Sequence, residues 1–275
     1  MRFWKYHGIG NDFIVIDGTA GDVAVDTEWC KKMCRRNFGI GADGVLYIMP
    51  GENTDITMRV INPDGSEAEM CGNGIRCVAK HAYDSGLVKE KRFSIHTAGG
   101  DKEAKVTLGD DGKVSTVAVD MGAPILNGRS IPINHDGRFV DQTFMAGSLR
   151  LRGTTVSMGN PHFVTFTELS DEKIDRLGPE LESNAFFPNK TNVEFCRIED
   201  GEIYVRVYER GAGWTLACGT GACASAVTAA LMGLAPYDEP VKVHLPGGTL
   251  NVTVMRDMDC IILEGPAELV FKGEI

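Results

Sequence analysis

Apolar and polar residues alternate in short bursts along much of this chain, and the bursts come in matching pairs. The stretches DITMRVIN (55–62) and EIYVRVYE (202–209) are β-branched alternations of period two, so each predicts a strand with one face in a core. Each runs into a loop of turn-forming residues. Beyond the loops, Ala79, Ala82 and Gly86, and then Ala226, Ala229 and Gly233, recur at three- and four-residue steps. Small residues at those steps predict a helix packed closely on all sides and closed by a glycine cap. Alternation resumes in KEAKVTL (102–108) and TLNVTVM (249–255), which predict further strands after each helix.

The pairing is an internal repeat. Shifted by 147 residues, positions 55–88 fall on 202–235 without a gap, and 10 of the 34 pairs are identical, among them Arg59/Arg206, Cys71/Cys218, Gly72/Gly219 and Gly74/Gly221. Chance gives roughly two for average composition. The echo continues at nearly the same offset, GND (10–12) with GNP (159–161) and HTAGG (96–100) with HLPGG (244–248). A period this long means a duplicated domain rather than a solenoid, whose units run to about 20–50 residues. The expected fold is α+β: two pseudo-symmetric halves, 1–118 and 119–262, each a curved, largely antiparallel sheet wrapped round one central helix.

Composition narrows the function classes. A chain of 275 residues with 43% hydrophobic content supports about two domains. A net charge of −10, with no Lys/Arg run longer than a pair, argues against nucleic acid or a membrane surface as partner. The longest apolar-leaning stretch, ACASAVTAALMGLAPY (222–237), falls short of the ~20 residues of a membrane span, and the N-terminal stretch lacks a signal-like apolar segment, so a cytoplasmic location is expected. The eight cysteines then read as free thiols. Trp29, Cys30, Met33 and Cys34 form one apolar stripe behind a possible Asp26 cap, and no second Cys/His pair with ligand spacing follows, so no metal site is expected. GIGADG (39–44) spells a dinucleotide fingerprint, but a helix-like segment precedes it and a strand-like one follows, the reverse of what that fold requires; its glycines read as turn residues.

Chemistry concentrates at two Cys-Gly steps. Cys71 and Cys218 stand at the predicted first turns of the paired helices, where N–H groups without intrahelical partners and the positive end of the dipole favour a thiolate. Gly72 and Gly219 leave those N–H groups open to an anion such as a carboxylate. A single such thiol is most simply a structural cysteine; two at matching positions of a duplicated fold are not. If the halves face each other, the two thiols flank one carbon, as 1,1-proton transfer between two bases requires.

The motifs HGIGNDF, NPDGSEAEMCGNGIRC, MGNPHFV, TNVEF and YERGAGWTLACGTGA, spread from Asn11 to Ala222, resemble those of the diaminopimelate epimerases, enzymes that interconvert LL- and meso-2,6-diaminopimelate without a cofactor. The cysteine phrases alone resemble the wider superfamily, which includes proline racemase. The resemblance implies that Cys71 and Cys218 are the base/acid pair and that Gly72, Asn73, Gly219 and Thr220 hold the reacting α-carboxylate. It implies that Asn11, Asn62, Asn160, Asn192, Glu209 and Arg210 bind the other amino-acid end, and that His162 and Glu209 tune the thiols. It also implies a homodimer, and a C-terminal segment, 263–275, that completes the first half. The chain departs from the pattern at Gly44, where a longer polar side chain able to reach substrate is expected of relatives.

Three other readings compete. A racemase of another amino acid keeps both Cys-Gly steps but has no need of Glu209, Arg210 and four asparagines. A pyridoxal phosphate racemase needs an aldimine lysine, and none lies within several residues of either Cys-Gly step. A non-catalytic thiol or metal-binding protein is the third.

Overall fold

The computed structural model describes residues 1–21 and 23–275, and the chain forms two compact units, Met1–Asp120 with Glu264–Ile275, and Met121–Leu263. In the first, the elements run β1 (Arg2–Gly8), β2 (Asn11–Asp17), α1 (Thr27–Cys34), β3 (Gly44–Pro50), β4 (Ile56–Ile61), β5 (Glu67–Ala68), α2 (Gly72–Asp84), β6 (Arg92–Thr97), β7 (Gly100–Leu108) and β8 (Val114–Asp120). In the second they run β9 (Gln142–Ala146), β10 (Leu149–Ser157), β11 (Pro161–Thr165), α3 (Asp171–Glu182), β12 (Asn192–Glu199), β13 (Glu202–Glu209), β14 (Gly213–Trp214), α4 (Gly219–Leu231), β15 (Pro240–Leu245) and β16 (Gly248–Val254). Strand β17 (Ile261–Pro266) leads the chain back, and β18 (Glu268–Glu274) pairs antiparallel with β1 inside the first unit.

The duplication extends to the strand pairing. Antiparallel β1–β2, parallel β2–β3, antiparallel β3–β4, parallel β4–β6 and antiparallel β6–β7 are repeated as β10–β11, β11–β12, β12–β13, β13–β15 and β15–β16. The sheets are therefore largely antiparallel, as the alternation predicts, with two parallel pairs in each unit. Those pairs need crossover connections, and α1 and α3 lie in the β2–β3 and β11–β12 crossovers.

The central helices obey the small-residue pattern. In α2 every residue from Gly72 to Ala79 is buried, with β1, β2, β3, β4, β7 and β8 packed round it. The helix α4 is buried almost throughout and meets β10, β11, β12, β13, β15 and β16. Each ends where a glycine takes a left-handed conformation, Gly86 at φ 81° and Gly233 at φ 71°. Both termini thus follow from local sequence.

The cores outside these helices differ. On the first unit's other sheet face, Cys30, Met33 and Cys34 of α1 join Ile14, Ile16, Val45 and Tyr47, and Asp26 caps α1 by accepting from the Trp29 N–H at 3.0 Å. The cysteine stripe is core, as its spacing indicates. In the second unit the corresponding cluster is aromatic, with Phe144, Phe163 and Phe187 against Leu177 and Leu181 of α3. Gly39 and Gly41 of GIGADG lie in the connection from α1 to β3, Gly41 at φ 75°, but Gly44 is not a turn residue: it opens β3 and pairs with Phe13, because the strand begins one residue before its apolar run.

Candidate active site

In the first unit Cys71 is the N-cap of α2, extended at φ −140°, ψ 112°, and its sulfur accepts the Gly74 N–H at 3.4 Å. Cysteine is an unusual cap; here the sulfur takes the place of the usual hydroxyl or carboxylate oxygen. The tight β1–β2 turn, with Ile9 and Gly10 both at positive φ, delivers Asn11 to the start of β2. The Asn11 Oδ1 lies 3.8 Å from the Cys71 thiol and accepts from Asn73 Nδ2 at 3.1 Å, while Asn11 Nδ2 donates to Asp43 Oδ2 at 2.8 Å. Asn11, Cys71, Gly72 and Asn73 are therefore one cluster. Behind it stands the fully buried Arg76, which donates to Gly72 O at 2.8 Å and to Asn73 Oδ1 at 3.0 Å. Asn62 is engaged elsewhere, its Nδ2 donating to Ser66 Oγ at 3.0 Å within the loop after β4.

A side chain at Gly44 has little room. A Cβ there would lie 3.0 Å from Ile61 O and 3.6 Å from the Phe13 ring. Asp43 next to it is the acidic anchor instead, bound to Asn11 and, at 2.6 Å, to Arg36.

In the second unit Cys218 caps α4 with nearly the same backbone, φ −128° and ψ 109°, and its sulfur accepts the Gly221 N–H at 3.3 Å and meets Thr220 Oγ1 at 3.5 Å. Its surroundings are acidic. Burial raises the Cys218 thiol well above its ordinary value, Glu209 and Glu194 add to the rise, and the bonds to Thr220 and Gly221 oppose it. Burial also raises Glu209, against its bonds to Thr215 and Cys218 and the influence of His162. At Cys218 burial and the two acids thus outweigh the helix start, which by itself favours a thiolate.

His162 on β11 is fully buried; its Nδ1–H donates to Glu194 Oε1 at 2.7 Å and its Nε2 meets the Asn160 side-chain oxygen at 2.9 Å. Asn192, beside His162 across the β11–β12 pair, donates to Pro161 O at 2.8 Å and accepts the Arg210 N–H at 2.9 Å. The Arg210 guanidinium is exposed at the end of β13, with Nη1 on Asn189 O at 3.3 Å. All the expected residues of this unit thus sit on α4, the β10–β11 turn, or the ends of β11, β12 and β13 around it. Glu194 was missed because, within TNVEF, it alternates with apolar neighbours like any strand residue; Arg76 was missed because a cation on a buried helix has no periodic mark.

Each unit offers a cysteine-capped helix start whose first N–H groups suit a carboxylate, next to amides or acids that suit an ammonium group. The duplicated fold is shared with solved structures: a PhzF-family phenazine biosynthesis protein from Bacillus anthracis (TM-score 0.72, 16% identity, 100% of this chain and 98% of that one) and a probable proline racemase from Agrobacterium radiobacter (TM-score 0.73, 15% identity, 100% and 92%). At such identities the likeness is one of fold. Sequence goes further: the diaminopimelate epimerase family profile matches residues 3–126 and 154–270. Diaminopimelate epimerases of Heliobacterium modesticaldum and Caldanaerobacter subterraneus are 42% and 44% identical over 281 and 279 residues, spanning 100% of this chain and 99% of each relative. The chain belongs to the diaminopimelate epimerase family.

Proposed function

We propose that this protein inverts one α-carbon of LL-2,6-diaminopimelate to give the meso form, using Cys71 and Cys218 as two bases and no cofactor, in the supply of lysine and peptidoglycan precursors. The observation that carries the reading is the pair of cysteine N-caps on pseudo-equivalent helices, in a chain of this family. One thiolate removes the α-proton and the other thiol delivers a proton to the opposite face. The N–H groups of Gly72, Asn73, Gly219 and Thr220 hold the α-carboxylate and stabilise the charge that develops on it. Glu209 faces the distal ammonium, Arg210 forks onto the distal carboxylate, and Asn11, Asn62, Asn160 and Asn192 orient both without adding charge. His162 and Glu209 bias the Cys218 proton.

Incubation with LL-diaminopimelate in heavy water, without additives, tests this. Early product should carry deuterium at the inverted carbon while residual substrate stays almost free of it; product that keeps the original proton would overturn the two-base assignment. A racemase of another amino acid is not favoured, because full-length relatives above 40% identity are diaminopimelate epimerases whereas the proline racemase match shares fold alone. A cytoplasmic homodimer is the working form we assign; no helix of the described residues is long and apolar enough to cross a membrane.

A further inference from the structure

The two units are built alike, so positions that correspond by strand register can be compared directly. In the first, Phe13 pairs with Gly44 and Val15 with Leu46; in the second, His162 pairs with Asn192 and Val164 with Glu194. His162 thus stands where the first unit has Phe13, and Glu194 where it has Leu46. An apolar pair in one copy is a buried, hydrogen-bonded His–Glu pair in the other, both side chains wholly enclosed.

Position 194 lies at the root of the catalytic helix. A Cβ built on Gly221 would come 2.7 Å from Glu194 Oε1 and 3.2 Å from Cys218 Sγ, so the carboxylate and the sulfur flank one gap too narrow for a methyl group. At the matching glycine, Gly74, the nearest atom is a Leu46 methyl at 3.1 Å. The second oxygen of Glu194, Oε2, is buried with no hydrogen-bond donor among the described residues. Burying an incompletely satisfied carboxylate beside a thiol is costly and serves no packing purpose that leucine does not already serve in the other unit.

We propose that Glu194 is a positioning residue for the Cys218 face: it orients His162 through the Nδ1–H bond and sets a negative charge behind the sulfur across the Gly221 gap. That charge biases Cys218 toward its protonated form, and Leu46, at the same place in the first unit, carries none. Titratable groups tied to the site include His162 on β11, bonded to Glu194, Cys196 on β12, influenced by Glu194, and Glu209 on β13, influencing Cys218. Among them Glu209 shares the acidic influence on Cys218, and burial pushes the Cys196 thiol up. The two carboxylates thus act together, and removal of Glu194 weakens the bias without abolishing it.

The inference rests on the two-base reading but its test does not. Full-length protein is treated with iodoacetamide across a pH series, and labelling of Cys71 and Cys218 is followed by peptide mass spectrometry. In Glu194→Gln, which keeps an acceptor for His162, Cys218 labelling at neutral pH should rise about tenfold and its midpoint should fall, with Cys71 unchanged as internal control. The same variant should lose kcat more than it raises KM, and Glu194→Asp, which keeps the charge one methylene further back, should restore most of the Cys218 midpoint. An unmoved Cys218 midpoint in a folded Gln variant overturns the proposal; if the Gln variant does not fold, Glu194→Leu, which installs the residue of the other unit, takes its place, and an unmoved midpoint there does so. Failure of epimerisation with the labelling shift intact would count against the proposed function alone.

Discussion

The starts of α2 and α4 have almost the same backbone and different side chains around the sulfur. Each has a cysteine cap in extended conformation and a sulfur held by the N–H three residues on. Around Cys71 stand the amides of Asn11 and Asn73, with the buried guanidinium of Arg76 bound to the same turn. Around Cys218 stand Glu209, Glu194 and His162. Duplication preserves what the main chain must do, which is to present a sulfur and open N–H groups. Divergence then falls on the side chains that surround each sulfur.

The largest expected effect probes what the halves share. Cys71→Ala and Cys218→Ala should each reduce epimerisation by about 100- to 10,000-fold or more, since on the proposed mechanism each removes the thiol that serves one face. Steady-state assays of both variants check this, and a substantial rate in either would break the equivalence of the two starts.

The next effect probes where they differ in charge. Offset by 147, Asn62-Pro63 in the first copy becomes Glu209-Arg210 in the second, so Arg210 has no counterpart at the matching position of the first copy. Arg210→Met should lower kcat/KM by about 10- to 100-fold, the worth of a hydrogen bond to a charged group, with most of the loss in KM. Unchanged kinetics would remove Arg210 from the substrate site.

A third prediction uses the glycines under the sulfurs. Alanine improves helix propensity by about 1 kcal/mol over glycine, and at Gly74 the obstacle is a leucine methyl that can turn aside. Gly74→Ala should therefore be nearly neutral in urea denaturation. Gly221→Ala meets a buried carboxylate oxygen at 2.7 Å and should cost about 1–3 kcal/mol, with a marked loss of activity. Equal stability of the two variants would blunt the contrast.

The smallest effect concerns pH. His81 in α2 is buried between Trp4 and Tyr6, whose hydroxyl bonds Nδ1 at 3.3 Å, and burial holds its pKa below the usual value; the matching position in α4 is Thr228. A histidine depressed in the folded state binds its proton first in the unfolded chain. Its contribution is therefore complete above pH ~6.5 and fades as pH falls toward the folded value, at about 1.4 kcal/mol per unit of depression. Urea titrations at pH 7 and pH 5 should show a steeper loss in the parent than in His81→Gln.

Much of the site was legible because its parts are local. Cys71 and Cys218 could be placed at helix starts from glycine and alanine spacing alone, and Asn11 at a turn from the glycine before it. Asn62 is a different case: its side chain is tied to Ser66 four residues away, and its place in the site comes from the family resemblance, not from local pattern. The helices α1 and α3 were unequal in the pattern: α1 carries an apolar stripe, whereas α3 holds Pro179 and a mostly polar surface that periodicity does not single out.

Sequence by itself determined the duplication, the strand–loop–helix order of each copy and the cysteine at each helix start, because alternation, small-residue spacing and capping act over a few residues at a time. Only the tertiary structure decided that Glu194 reaches His162, 32 positions away, and stands beneath Gly221. That meeting depends on a parallel strand pair joined by a crossover helix, whose register sets which residues become neighbours. Side chains so paired leave no periodic trace in the chain, since each reads locally as one more position on a strand.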